Sequence, residues 1–187
     1  MNGTVASSDP LRIRSLRPGD AGFVAYRHGV LYAREDGFDI AFDGYVIEGL
    51  NRFLQQYEPH KDHLWVAEWQ GQPVGSIAIV RAAAGSAQLR WFLVEPELRG
   101  LGIGAALLET ALLFCRDSGY SHVFLWTISH LHAARSLYER YGFAPTEQKT
   151  HFIWGRELTE ERWDLRIKGC ETRTRLDKSV DPIGESS

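Results

Sequence analysis

Three glycines at alternate positions, in Arg99-Gly100-Leu101-Gly102-Ile103-Gly104, separate a strand-like stretch from an amphipathic helical one. No other feature limits the fold as much. Upstream, Ala87 to Val94 reads as a strand, and Pro96 stops it because proline cannot donate to a ladder. Downstream, Ile103, Leu107, Ala111 and Phe114 recur at helical spacing, Leu108 and Leu112 widen the stripe, and Gly119 is the expected stop. Glycine tolerates left-handed dihedrals and lets a ligand approach the backbone closely. The first N–H groups of a helix are unpaired, and its dipole adds partial positive charge there. Arg99 adds a full charge. The segment is therefore a candidate phosphate cradle; the alternative is a tight turn needing small residues, with Arg99 solvated.

The remaining sequence builds a sheet around this unit. Its 187 residues suit one ordinary domain. Leu11 to Leu16 alternates apolar and polar residues, as a half-buried strand does. Arg17-Pro18-Gly19-Asp20 is a turn, with Asp20 as helix N-cap. Phe23, Tyr26, Val30 and Leu31 then recur at helical spacing. A second helical stretch carries Ile40, Tyr45, Ile47, Leu50 and Phe53 and ends near Pro59. His63 to Trp69 and Val74 to Val80 form a hairpin about Gln70-Gly71-Gln72-Pro73. After the glycine-led helix come a buried strand, His122 to Trp126, and a helix, His130 to Tyr141, with Ala134, Leu137, Tyr138 and Tyr141 inward and Gly142 at its end. Phe143 onward and Arg162 to Ile167 read as closing strands. The order β-α-α-β-β-β-α-β-α-β-β implies an α/β fold, a mixed α+β sheet with helices on its faces. The domain is expected over residues 11–168. Residues 1–10 and 169–187 are polar tails with too little apolar surface to order themselves.

Several classes are excluded. A hydrophobic share of 44% and a charged share of 24% do not fit a disordered or fibrous chain. No apolar run reaches the roughly 18 residues of a membrane span. Met1 to Pro10 lacks the apolar core of a secretory leader. Cys115 and Cys170 are too few for a disulfide scaffold and form no zinc motif. The net charge of −3 gives no basic face for nucleic acid. A cytoplasmic protein without metal, membrane or nucleic-acid partner is the expectation. Six tryptophans suit either a well-filled core or an aromatic-lined pocket.

The phosphate ligand follows by elimination. No Gly-Lys-Ser/Thr follows the glycines, so a Walker loop is excluded. Gly100, Gly102 and Ala105 nominally match a dinucleotide fingerprint, yet the next strand ends Leu125-Trp126-Thr127-Ile128, without the acid that fold requires. The diphosphate of coenzyme A remains. Here Arg99-x-x-Gly102-x-Gly104, led in by Val94-x-Pro96, resembles motif A of the GNAT N-acetyltransferase family. Ala134-x-x-Leu137-Tyr138-x-x-x-Gly142-Phe143 resembles its motif B, and the resemblance covers nearly all of Leu11 to Ile167. More narrowly, Arg27-His28-Gly29-x-Leu31-Tyr32-x-x-Glu35-x-Gly37, with Leu125-Trp126-Thr127 and His132-Ala133-Ala134-Arg135, is similar to the acetyltransferase half of bacterial fusions with a MarR-type DNA-binding domain.

The resemblance implies transfer of an acetyl group from acetyl-CoA to a primary amine, a small molecule or amino acid derivative. A protein amine, or binding of acyl-CoA without turnover, are the alternatives. It implies that amides around Leu101 to Ala105, including Gly102, Ile103 and Gly104, hold the diphosphate with Arg99 and Gly100. The end of the strand at Phe92, Leu93 and Val94 would bind the pantetheine arm and polarise the thioester. A splay between this strand and His122 to Trp126 would admit it. Tyr138 matches the tyrosine that protonates the leaving thiolate. The acceptor amine must be neutral, and deprotonating a lysine-like amine at pH 7 costs roughly 4.6 kcal/mol. The family often places a glutamate on the strand before motif A; Gln88, Arg90 and Trp91 stand there, and Glu95 is the first carboxylate. Glu35, His28 and Glu68 are the substitutes. Glu35, His28, Tyr32 and Trp126 are expected to line the acceptor site. Leu131 stands where the family often has asparagine, with His130 or His132 as replacements. A homodimer through a strand edge is a further expectation.

Overall fold

The computed structural model describes residues 11–83 and 85–167, so the two expected tails lie outside the described residues. Strands β1 (Arg12–Ser15), β2 (His63–Trp69), β3 (Gln72–Arg81), β4 (Ser86–Val94), β5 (His122–Ile128), β6 (Ala144–Ile153) and β7 (Arg156–Arg166) form one mixed sheet. Its order is β1-β2-β3-β4-β5-β7-β6. All pairs are antiparallel except β4 with β5. Helices α1 (Asp20–Asp36) and α2 (Ile40–Gln55) cover one face; α3 (Ile103–Asp117) and α4 (His132–Arg140) cover the other. The expected element order is the observed one.

The α3 stripe is as read. Ile103, Leu107, Leu108, Ala111 and Leu112 are buried against Ile77, Ile79, Leu89 and Val123. Each large aliphatic side chain buried there contributes about 1.5–3 kcal/mol. Phe114 is only half-buried and stacks near His63 and Trp65 at the rim.

The faces of α1 and α2 differ from the reading. Val24, His28 and Leu31 point inward on α1, while Tyr26 is 63% exposed. On α2 the buried set is Phe42, Val46, Leu50 and Phe53, and Ile40 is 85% exposed. Leu31, Leu50 and Phe53 are buried as read; Val24, His28, Phe42 and Val46 complete the two stripes at i, i+3 and i, i+4 spacing, while Tyr26, Val30, Ile40, Tyr45 and Ile47 face outward. Asp20 is the first residue of α1 rather than its cap. Gly19, at φ +98°, caps the helix. The Asp20 carboxylate accepts the Arg17 N–H at 2.6 Å and the Arg14 guanidinium at 2.6 and 3.0 Å. A partly buried ion pair to β1 therefore wins over the cap. β7 begins at Arg156, well before the expected Arg162, and α4 starts two residues late, at His132.

The β6–β7 turn is the two-residue Trp154-Gly155, at φ +51° and +82°. Both positive dihedrals match the twist of a tight hairpin. The Trp154 ring lies 5.0 Å from Phe38, 4.8 Å from Phe42 and 5.2 Å from Tyr45. Its carbonyl accepts the Asp39 N–H at 3.1 Å. The hairpin tip thus docks on the α1–α2 corner.

Candidate active site

The centre of the sheet is split. The β4–β5 ladder joins only Ser86 to His122, Ala87 to Val123 and Gln88 to Phe124. Beyond that point Leu89 to Val94 and Leu125 to Ile128 do not pair with each other, so a cleft opens between them. His122 pins the closed end, its Nε2 at 2.6 Å from Asp164 and its Nδ1 at 3.2 Å from Ser86 Oγ.

A bulge shapes the β4 wall of this cleft. Ser76 faces Leu93 and Ala78 faces Arg90, so Ile77 opposes two residues. Trp91 takes up the slack at φ +46°. Ala87 and Leu89 pack towards α3, Trp91 packs towards α2, and Phe92 and Val94 return to the α3 side. This re-aiming of side chains is what a bulge does beside an active site. The Glu95 N–H donates to Val74 O at 2.9 Å. By strand alternation the polar groups of Val94 then point the other way. The Val94 carbonyl indeed accepts Arg99 Nε at 3.1 Å, so its N–H also borders the cleft.

The glycine loop stands at the cleft mouth. Gly100 and Gly102 have φ of +82° and +85°, and a Cβ on either would meet nothing within 4 Å. No side chain caps α3, and Ala106 makes its first returning bond, to Gly102 O at 3.0 Å. The amides of Ile103, Gly104 and Ala105 have no acceptor among the described residues. Open space, free donors and the positive end of a 15-residue helix fit a diphosphate. A Cβ on Gly104 would lie 3.4 Å from Phe92 and 3.6 Å from Leu137, so α3 also packs tightly across the mouth.

Tyr138 sits inside the cleft, 5% exposed, with its ring 6.1 Å from Phe92 and 5.9 Å from Phe143. Its hydroxyl has no hydrogen-bond partner among the described residues. Burial, and then the nearby Tyr32 hydroxyl, raise its pKa well above the usual phenol. Burial, and then Asp36, push Tyr32 to about 12. Tyr138 packs in the core on the α3–α4 side of the sheet and Tyr32 against the core on the α1–α2 side, so the two stand on opposite faces of it. His28 stacks on Tyr32 at 6.0 Å and donates from Nδ1 to Val24 O at 2.8 Å, a tautomer that bond assigns. Burial lowers the His28 pKa to about 4. That is far below an alkylammonium at about 10.4, so His28 stays neutral, with its one proton on Nδ1, and does not hold a second proton taken from an amine.

Glu35 does not stand with His28. Its carboxylate meets the Arg99 guanidinium at 3.0 Å, next to the glycine loop. Glu95 is engaged by Arg27 through two bonds of 2.6 and 2.5 Å, which tie α1 to the end of β4. Glu68 pairs with Arg14 at 2.6 Å near the sheet edge, remote from the split. His130 meets the buried Asp36 at 2.5 Å and closes the α1 end against the β5–α4 loop; His132 is exposed. Trp126 is half-buried on β5 under the Lys149 ammonium, 4.4 Å from its ring centre. The reading missed the Trp91 bulge and the setting of Arg90. A positive φ on tryptophan leaves no mark in composition or periodicity.

A split sheet with two helices on each face and an amide cradle at its mouth defines an acyl-carrier-binding acyltransferase fold. The sequence model of the family described as "Acetyltransferase (GNAT) family" matches residues 23–143. The chain belongs to this family. It is 37% identical to human N-acetyltransferase 8B over 97 residues, 49% of this chain and 43% of that protein. It is 30% identical to an uncharacterized N-acetyltransferase of Schizosaccharomyces pombe over 121 residues, 64% of this chain and 74% of that one. The chain thus spans less than half the length of the human relative. A GNAT acetyltransferase of Staphylococcus aureus shares the fold at TM-score 0.69 and 18% identity, over 85% of this chain and 100% of that one. So does a Salmonella typhimurium acetyltransferase solved with its cofactor acetyl-CoA, at TM-score 0.66 and 20% identity, over 86% and 96%. Among the described residues no group of three or more metal-ligand side chains comes together, and no helix is long and apolar enough to cross a membrane.

Proposed function

We propose that this chain is an acetyl-CoA-dependent N-acetyltransferase acting on a small primary amine or amino acid derivative. The split between β4 and β5, with free amides at its mouth and Tyr138 within, carries the reading. The amides of Leu101 to Ala105, with Gly100, Gly102 and Arg99, bind the diphosphate of the acyl donor. Phe92, Leu93 and Val94 flank its pantetheine arm. The Val94 N–H on the cleft side donates to the thioester oxygen as charge develops there. Tyr138, kept protonated by burial, donates a hydrogen bond to the departing thiolate. Full proton transfer from so weak an acid is uphill, so stabilisation of the thiolate is its main work. Tyr32, His28 and Trp126 stand on the acceptor side. Glu35 acts through Arg99 rather than as the base. The acceptor enters as its neutral fraction, and its proton leaves through water.

The likeness to the acetyltransferase half of MarR-type fusions, on Arg27 to Gly37, Leu125 to Thr127 and His132 to Arg135, belongs to this same proposal, as does a cytoplasmic setting. A homodimer through the exposed edge strand β6 is the partner arrangement it adds, checked by light scattering. Release of free thiol from acetyl-CoA with a panel of small amines tests the function. Turnover that Tyr138→Phe lowers at least tenfold, with acetyl-CoA affinity kept, is expected. Tight acetyl-CoA binding with no thiol release from any acceptor would replace the enzyme with a non-catalytic acyl-CoA sensor.

A further inference from the structure

Arg90 is a half-buried arginine that meets no carboxylate among the described residues. It stands on β4 two residues past Gln88, where the β4–β5 ladder ends, so it flanks the start of the split. Two rings hold its guanidinium, Trp91 at 4.8 Å and Tyr45 at 5.4 Å. Gly49 on α2 makes room for it: a Cβ there would lie 3.0 Å from one guanidinium nitrogen. The bulge matters here too, because the turn of the chain at Trp91 lays that indole beside its own neighbour. Arg90 also lines a cleft of about 330 Å³ with Gly49, Gln88, Arg52, Arg81 and one acid, Asp62. The other two arginines of that cleft are taken. Arg52 pairs with Glu48, and Arg81 pairs with Glu58 and Asp62. Both rings that hold Arg90 stand on the α1–α2 side of the sheet: Trp91 packs in the core that Tyr32 covers, and the Tyr45 ring lies 6.2 Å from Phe42, itself 4.8 Å from Tyr32. The guanidinium thus shares the acceptor side with Tyr32 and with His28, which stacks on it. A guanidinium held by two rings beside Gly49, with no carboxylate of its own, keeps N–H donors for a carboxylate that enters the cleft.

We infer that Arg90 reads a carboxylate on the acceptor, which makes the substrate class an amine that also carries an acid group, such as an amino acid. This rests on the proposed transferase reading. Arg90 binds the acid group in the cleft, and the amine of the same molecule then reaches the thioester at the split.

Acetyl transfer to phenylalanine, phenylalaninamide and phenethylamine tests the inference, together with calorimetric binding of N-acetylphenylalanine to the CoA-loaded protein. Wild-type protein is expected to favour phenylalanine over both amines that lack the carboxylate at least tenfold in kcat/KM. Arg90→Gln should raise KM for phenylalanine tenfold or more, with a much smaller fall in kcat, and Arg90→Lys should restore part of the loss. Equal use of the three amines by wild type, or equal losses for all three in Arg90→Gln, would overturn it. If no amine is acetylated, the transferase reading falls, and calorimetry decides the carboxylate site alone. N-acetylphenylalanine binding that Arg90→Gln abolishes and Arg90→Lys partly restores would keep it; no binding, or binding indifferent to Arg90, would end it.

Discussion

The Ser76 hydroxyl donates a buried 2.7 Å hydrogen bond to the Trp91 carbonyl, at the point where β3 and β4 slip register. It holds Trp91 at φ +46°, a dihedral that costs a bulky L-residue free energy. Ser76→Ala leaves that carbonyl without its hydroxyl partner at a buried position. A loss of about 1–3 kcal/mol of stability is expected from urea unfolding. The bulge also aims the Val94 amide, so kcat should fall more than acetyl-CoA affinity. A variant equal to wild type in both respects would show that the serine does not hold the bulge.

Gly102 separates charge from strain at the cradle. Its φ of +85° penalises any side chain, while nothing stands within 4 Å of a Cβ. Gly102→Ala therefore meets only the backbone cost, about 1 kcal/mol. Gly102→Glu adds a carboxylate where the diphosphate is proposed to bind. Calorimetry should show weakened CoA binding in the alanine variant and none in the glutamate variant. Equal affinities in the two would move the diphosphate elsewhere.

Glu35 competes with the donor's phosphates for Arg99. This 3.0 Å pair of Glu35 and Arg99 is largely solvent-exposed, and such pairs are worth about 0.2–1 kcal/mol. Glu35→Gln frees Arg99 for the diphosphate. Acetyl-CoA should then bind up to about fivefold more tightly, and kcat should stay within about twofold. A kcat drop of a hundredfold or more would instead restore Glu35 as the base.

These particulars show where sequence reasoning reached and where it stopped. The glycine loop, the α3 stripe and the strand–helix order were legible because each is written in local spacing. The partial parting of β4 from β5 was expected from the family likeness, and its extent needed coordinates. The inward faces of α1 and α2 were legible in part: Leu31, Leu50 and Phe53 are buried, but Tyr26, Ile40 and Ile47 are large enough to look like core yet lie on the outer side. The fate of the carboxylates was not legible at all. Glu35, Glu68 and Glu95 each found an arginine 54 to 68 residues away in sequence. Long-range pairing of charges leaves no periodic trace. Trp154-Gly155 was invisible as a turn since tryptophan is no turn former; its ring is held by Phe38, Phe42 and Tyr45 across the α1–α2 corner.

His28 makes stability depend on pH in a definite direction. It is 4% exposed, and burial lowers its pKa from 6.5 to about 4 in the folded chain. The unfolded chain takes up a proton near pH 6.5, and the folded chain does so only near pH 4. Between those values the unfolded state binds more protons, so stability falls as pH falls. The effect is complete below pH 4 and absent well above 6.5. From pH 7 to pH 5 the loss from this residue is about 2 kcal/mol. His28→Gln keeps a donor for the Val24 carbonyl and removes the titration. Urea unfolding at pH 7 and pH 5 should show wild type losing about 2 kcal/mol more than this variant. The Asp20 and Asp164 carboxylates, held below the usual range by Arg14 and Arg162 against the opposing effect of burial, are common to both proteins and cancel in the comparison. Equal losses in the two proteins would mean that His28 is protonated as readily folded as unfolded, and that the neutral wall beside Tyr32 does not exist.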